Sequence, residues 1–197
     1  MWWLTLAACG LIIVTASVAM ARKPSISPFE SRVFHAVNGL PDVLYPVLWP
    51  PMQLGNLIVG TTAGLIVAAI DGDLAIAVGV ALAMLLKLVT ERVLRKEMAD
   101  YLSVRQRPAT SQVGAILRGS DVPRTGASFP SGHVVLVAAV SGIVAPTVTV
   151  GWWSIPTLLT ILVMIGRVYV GAHNPLDVTA GLGAGLLLGG ILGAFVE

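Results

Sequence analysis

The chain alternates between long apolar runs and short polar islands. A helix needs about 20 mostly apolar residues to cross the hydrocarbon of a bilayer. Six runs fit that length, at about 2–20, 52–70, 74–90, 131–150, 152–170 and 175–195. The third turns polar at Lys87 without a helix breaker, so its helix is expected to continue to about Tyr101. Residues 22–50 are polar and interrupted by Pro24, Pro28, Pro41, Pro46 and Pro50; within them, Phe29 to Leu40 predict a short interfacial helix carrying His35 at its surface. Asp71-Gly72-Asp73 predicts a tight turn, because glycine and aspartate supply turn conformations. Residues 105–130 read as a loop rich in Gly, Ser, Pro and Arg. The expected fold is therefore all-α, a bundle of six transmembrane helices forming one domain over 1–197. Polar loops 22–50 and 91–130 would lie together at one membrane face.

Composition agrees with that pattern. The chain is 56% hydrophobic and 11% charged, against roughly 25% charged in soluble domains. The net charge of +2 is too small to suggest a nucleic-acid partner. The single Cys9 excludes an intramolecular disulfide. Ala19-Met20-Ala21 imitates a leader cleavage site, but no basic residue precedes the first run, which is long for a signal core; it is read as a span. Six spans put both termini on one side. Trp2, Trp3, Trp152 and Trp153 then fall at that side and Trp49 at the other, as an aromatic belt requires. All 12 Lys and Arg fall opposite the termini, so the positive-inside rule predicts a multi-pass cell-membrane protein with its polar loops in the cytoplasm. Gly181, Gly185, Gly189 and Gly193 line one face of the last span. Small residues at that spacing let helices approach closely, either within the bundle or across a homodimer seam.

Three polar islands carry the candidate chemistry: Arg105-Gln106-Arg107-Pro108, Phe129-Pro130-Ser131-Gly132-His133, and Arg167 through Asp177. Ionisable residues at a membrane edge are expensive and usually functional. Asn174-Pro175 is a favoured helix start, with Asp177 in the first turn. Asp177 is expected to reach back to His173, fix its tautomer and leave the other ring nitrogen free to attack. Ser131 is expected to cap the fourth span, whose free N–H groups bind phosphate readily. Gly132 keeps that first turn uncrowded, and His133 there can donate a proton. Arg107 and Arg167 offer guanidinium forks for phosphate oxygens. Arg92, Arg95, Arg118 and Arg124 read as anchors to lipid headgroups.

The order Arg-Pro, Pro-Ser-Gly-His, then Arg-x5-His-x3-Asp resembles the type 2 phosphatidic acid phosphatase superfamily, which includes membrane lipid phosphatases, glucose-6-phosphatase and soluble vanadium haloperoxidases. The six-span layout is similar to its membrane branch. The resemblance implies that His173 takes the phosphoryl group, Asp177 orients it and His133 protonates the leaving oxygen. It implies that Arg107, Arg167, Ser131 and the Gly132 amide hold the phosphate, with no metal and no cofactor. Two positions depart from the family pattern. Gly166 stands where a serine is usual, and Asp100 where a lysine is usual. Lys96, one helical turn back, is the replacement first considered; Lys87 and Arg105 remain open. The implied activity is hydrolysis of a lipid phosphate or isoprenyl (di)phosphate. A lipid phosphotransferase on the same site and a non-catalytic transporter or scaffold on the same fold are the rivals.

Overall fold

The computed structural model describes residues 2–23, 25–101, 105–147 and 153–196, without the side chains of 94–101. Its helices are α1 (Trp2–Ala21), α2 (Pro28–Asn38), α3 (Tyr45–Gln53), α4 (Leu57–Asp71), α5 (Leu74–Tyr101), α6 (Pro108–Ser111), α7 (Gly132–Val144), α8 (Ser154–Tyr169) and α9 (Pro175–Gly193). Among the described residues the only β pairing is one isolated antiparallel bridge, Gln106 with Ala127.

Several expected elements form where the pattern put them. Ser27 caps α2 by accepting from Glu30 N, with Pro28 at the helix start. Gly72, at φ +75°, closes α4, a left-handed position that glycine takes without steric cost. α5 does run on through its polar half to Tyr101. The second apolar run is different. It is broken at 54–56 and bent by 62° between the α3 segment and α4. Asn56 makes the break, since its Oδ1 accepts from Ile58 N and Val59 N and restarts the helix. Gly55 is held there by packing, because a Cβ would lie 2.5 Å from His133 Cβ.

Among the described residues, three helices are long and apolar enough to cross a membrane, namely α1, Leu74–Val93 of α5, and α9; the bent pair, counted as one span, makes a fourth. The segments Gly132–Thr147 and Ser154–Tyr169 are apolar but shorter. α7 is the axis of the bundle: Val134 through Ala139 are all buried. A helix that is apolar all round belongs inside. Its packing partner is α9, whose glycine stripe is spent within the chain. A Cβ on Gly185 would come within 2.5 Å of Ala138 Cβ, and one on Gly189 within 2.8 Å of Ala139 O. The other face of α9 receives α1 at Gly183 and Gly190 in the same way. Trp2 and Trp153 line one apolar cavity of about 510 Å³ at the end of the bundle away from the polar islands.

Candidate active site

The Arg-x5-His spacing follows from how α8 stops. Gly171, at φ +75°, ends the helix in a Schellman motif: Gly171 N donates to Val168 O at 3.0 Å and Ala172 N to Arg167 O at 3.1 Å. His173 N adds a second bond to the same Arg167 carbonyl, at 3.2 Å. A Cβ on Gly171 would also strike Ile116 O at 2.7 Å. The residue that carries the guanidinium thus fixes the turn that presents the histidine. α9 starts at once, with Asn174 at the N-cap and Pro175 next. Asp177 Oδ2 accepts from Asn174 N at 2.8 Å, the carboxylate half of a capping box.

His173 is held by a group the sequence does not advertise. Its Nδ1 donates to Ser128 O at 2.8 Å. A carbonyl can only accept, so the proton sits on Nδ1 and Nε2 keeps its lone pair. Nε2 faces Arg107 Nη1 at 3.2 Å, and that nitrogen also donates to Ala172 O at 2.9 Å. The expected direct bond from Asp177 to the ring is absent. Asp177 Oδ2 stands 3.9 Å from Nδ1, beyond hydrogen-bond reach, because it is committed to the α9 cap. Ser128 reaches its place because 105–107 and 127–128 run side by side, with Ser128 N donating to Arg105 O at 2.9 Å.

His173 lies in the turn between α8 and α9 and is buried, at 3% exposure. Burial first, then the charges of Arg107, Arg167 and His133, hold its pKa well below the ordinary histidine range; the Ser128 bond works the other way. Its folded-state pKa therefore lies below the unfolded value of about 6.5. The stability linked to this group is complete above that pH and declines as pH falls toward the folded value. Nitrogen-15 NMR of the histidines should show no His173 midpoint between pH 8 and 6; a midpoint near 6.5 would contradict the buried, neutral ring.

The second island faces the first. Ser131 occupies the N-cap of α7, and its N–H donates to Asp177 O at 2.9 Å, tying the starts of α7 and α9 together. The expected side-chain cap does not form, and Ser131 Oγ is buried without a hydrogen-bond partner. Arg167 Nε is likewise buried and unpartnered. A buried polar group left unsatisfied costs about 1–3 kcal/mol, so both atoms are poised for a polar ligand. His133 follows in the first turn of α7, within electrostatic reach of Arg167, Lys87 and Arg107. The start of α7 is crowded at Gly132, where the side chains of Glu91 and Lys87 fill the place a Cβ would take, so glycine is needed there.

The lysine question narrows. Lys87 is buried and pairs with Glu91 at 3.2 Å, beside Gly132. Lys96 lies outside the residues whose side chains are described. Arg105 is engaged elsewhere, since its Nε donates to Asp177 Oδ1 at 3.1 Å and its Nη2 to Glu30 Oε1. Arg118 is not a headgroup anchor. It donates to the carbonyls of Asn38, Tyr169 and Leu40, pairs with Asp42 and stacks 4.1 Å from the Tyr169 ring centre. His35 is exposed, as expected. Glu30, Asn38, Gln112 and Ser128 are the supporting residues that sequence reasoning missed. Among the described residues, no three His, Cys, Asp or Glu cluster closely enough to hold a metal ion.

The arrangement brings one neutral imidazole nitrogen, a second histidine at a helix start and two guanidinium groups within electrostatic reach of one another. Comparison with known proteins points the same way. The profile of the PAP2 superfamily matches residues 74–197. An undecaprenyl-diphosphatase of Sulfolobus acidocaldarius is 41% identical over 54 residues, which are 27% of this chain and 26% of that protein; the match thus spans about a quarter of the relative's length. Among solved structures, Aquifex aeolicus LpxE superposes with a TM-score of 0.67 at 22% identity, over 82% of this chain and 92% of that one. A PAP2-type phosphatidylglycerolphosphate phosphatase from Bacillus subtilis superposes with a TM-score of 0.64 at 23% identity, over 99% and 96%. At those identities the two structures establish the shared fold.

Proposed function

The chain belongs to the PAP2 superfamily, and on that premise we propose that it is a membrane phosphatase acting on a lipid phosphate or isoprenyl (di)phosphate through a phosphohistidine. The observation that carries this reading is the His173 imidazole, with its proton bound to Ser128 O and its Nε2 lone pair beside Arg107. Nε2 attacks phosphorus, and the bond to the leaving oxygen breaks as His133 supplies that oxygen with a proton. Water then attacks the phosphohistidine, giving up a proton to His133 and restoring His173. Arg107, Arg167, Ser131 Oγ and the Gly132 amide hold the equatorial oxygens; phosphoryl transfer needs this positioning and charge neutralisation above all. Asp177 acts by holding the start of α9, not by touching the ring. The remaining cation is Lys96 or Lys87, and the larger loss between the two alanine variants on one substrate names it.

The substrate class is tested by phosphate release from phosphatidic acid, phosphatidylglycerol phosphate, and polyprenyl mono- and diphosphates. The names of the relatives favour phosphatidylglycerol phosphate and polyprenyl diphosphate. Turnover is expected in EDTA and should be blocked by vanadate, which mimics the transferring phosphoryl group. No release from any of the four would end the phosphatase reading; loss in EDTA with recovery in magnesium would end its metal independence.

Six crossings are proposed, with the segments Gly132–Thr147 and Ser154–Tyr169 as short spans. Sixteen helical residues reach about 24 Å, against a hydrocarbon core of about 30 Å. The basic residues, all on the loop side of the six-span arrangement, support a cytoplasmic site. With Cys9→Ser as background, an impermeant maleimide on intact cells should label Asp71→Cys and spare Ser111→Cys. The reverse pattern would turn the protein over.

A further inference from the structure

The short helix α2 presents an unusual inward face. Glu30, Phe34 and Asn38 are its buried residues, one turn apart, although Glu30 and Asn38 are polar. A buried carboxylate is costly unless it is hydrogen-bonded and paired, and Glu30 is both. Its Oε1 accepts from Arg105 Nη2 and from Leu176 N at 3.0 Å. Leu176 N is one of the first-turn N–H groups of α9 that have no partner within their own helix. The Asn174 side-chain oxygen is already held by Gln112 Nε2, at 2.8 Å. Glu30 therefore caps α9 from a different helix.

Two turns further along α2, Asn38 grips the other end of the same segment. Its Nδ2 donates to Tyr169 O at 2.9 Å and to Ile116 O at 2.8 Å. The two contacts fall on Tyr169 and Leu176, on either side of His173. Between them, Arg105 carries the connection from Glu30 to Asp177, whose other oxygen holds Asn174 N. Glu30, Arg105 and Asp177 are all buried, at 8%, 3% and 0% exposure.

We propose that α2 is a splint across the His173 turn, and that Glu30, acting through Arg105 and the Leu176 amide, is a positioning residue for His173 and Asp177. The inference rests on the phosphatase reading. Glu30 touches neither His173 nor the groups that hold phosphate, so its loss should misplace the attacking nitrogen and leave the anion site in place. Misplacement of a reacting group by about 1 Å costs on the order of 10²-fold in rate.

The test compares Glu30→Ala and Glu30→Gln with the unaltered full-length protein in detergent, reading kcat, KM, competitive inhibition by inorganic phosphate and thermal melting. The alanine variant should lose about 10²-fold in kcat, with KM and phosphate affinity within about threefold. The glutamine variant keeps an acceptor for Leu176 N–H and should recover part of kcat. If alanine prevents folding, the glutamine variant decides alone, with an expected kcat loss of about tenfold at unchanged KM. A folded variant with the original kcat, or parallel losses of kcat and phosphate affinity, would overturn the proposal. Failure of both variants to fold would overturn it too, by assigning Glu30 to stability. Unaltered protein inert on every lipid phosphate would remove the phosphatase reading and the splint together, whereas normal turnover in a Glu30 variant would remove the splint alone.

Discussion

His173→Ala will remove turnover, by at least about 10⁴-fold, while the protein still folds and binds its lipid phosphate. The nitrogen proposed as nucleophile has no understudy. His133 sits on α7 and is assigned the proton, and Asp177, the carboxylate beside the ring, is committed to Asn174 N and Arg105. Folding should survive because the turn is made by backbone bonds to Arg167 O and by the Gly171 stop, neither of which uses the imidazole. Binding should survive because Arg107 and Arg167 remain. The informative pair of numbers is therefore kcat against the substrate's dissociation constant, the latter moving by less than about tenfold. Turnover near that of the unaltered protein would move the nucleophile elsewhere.

His133→Ala should lower kcat on a lipid phosphate by about 10²–10⁴-fold, the range for loss of a general acid. The substrate decides the size of the loss. A lipid alkoxide is a poor leaving group and needs the proton as the bond to phosphorus breaks. Nitrophenolate leaves without one. In kcat/KM, which covers the steps up to phosphohistidine formation and not its hydrolysis, the same variant should lose less than about tenfold on nitrophenyl phosphate. Equal kcat/KM losses on both substrates would show that His133 holds phosphate and does not protonate the leaving oxygen. The ring lies at the start of α7, packed against Gly55, where no Cβ intervenes.

The parts legible in the sequence were those set by residue type and spacing. Apolar runs gave α1, α5 and α9 nearly whole, and Asn174-Pro175 gave the start of α9 to the residue. The Arg167–His173 interval was readable as a motif, and the Schellman stop at Gly171 supplies its physical reason. What stayed hidden was set by backbone groups and by partners far apart in the chain. Ser128 acts through its carbonyl, which every residue possesses, so no side-chain pattern announces it. Asp177 was assigned to His173 because the two are four residues apart. In the fold its oxygens go to Asn174 N and to Arg105, and Arg105 is held in turn by a carboxylate 75 positions away in the chain. Arg118 looked like a surface cation until four backbone and side-chain acceptors closed around it. The break at Asn56 was invisible to hydropathy, because Met52 and Leu54 continue the apolar run that the helix itself abandons.

The central claim is a covalent bond between phosphorus and one nitrogen of one residue. It is tested by mixing purified protein with a lipid phosphate for less than one turnover, quenching in base, where phosphohistidine survives, and locating the phosphate by mass spectrometry of the digested chain. The account predicts phosphate on the peptide containing His173 in the unaltered protein, and none on it in His173→Ala. Phosphate release at full rate with His173 never labelled, or a label on His133 instead, would contradict it.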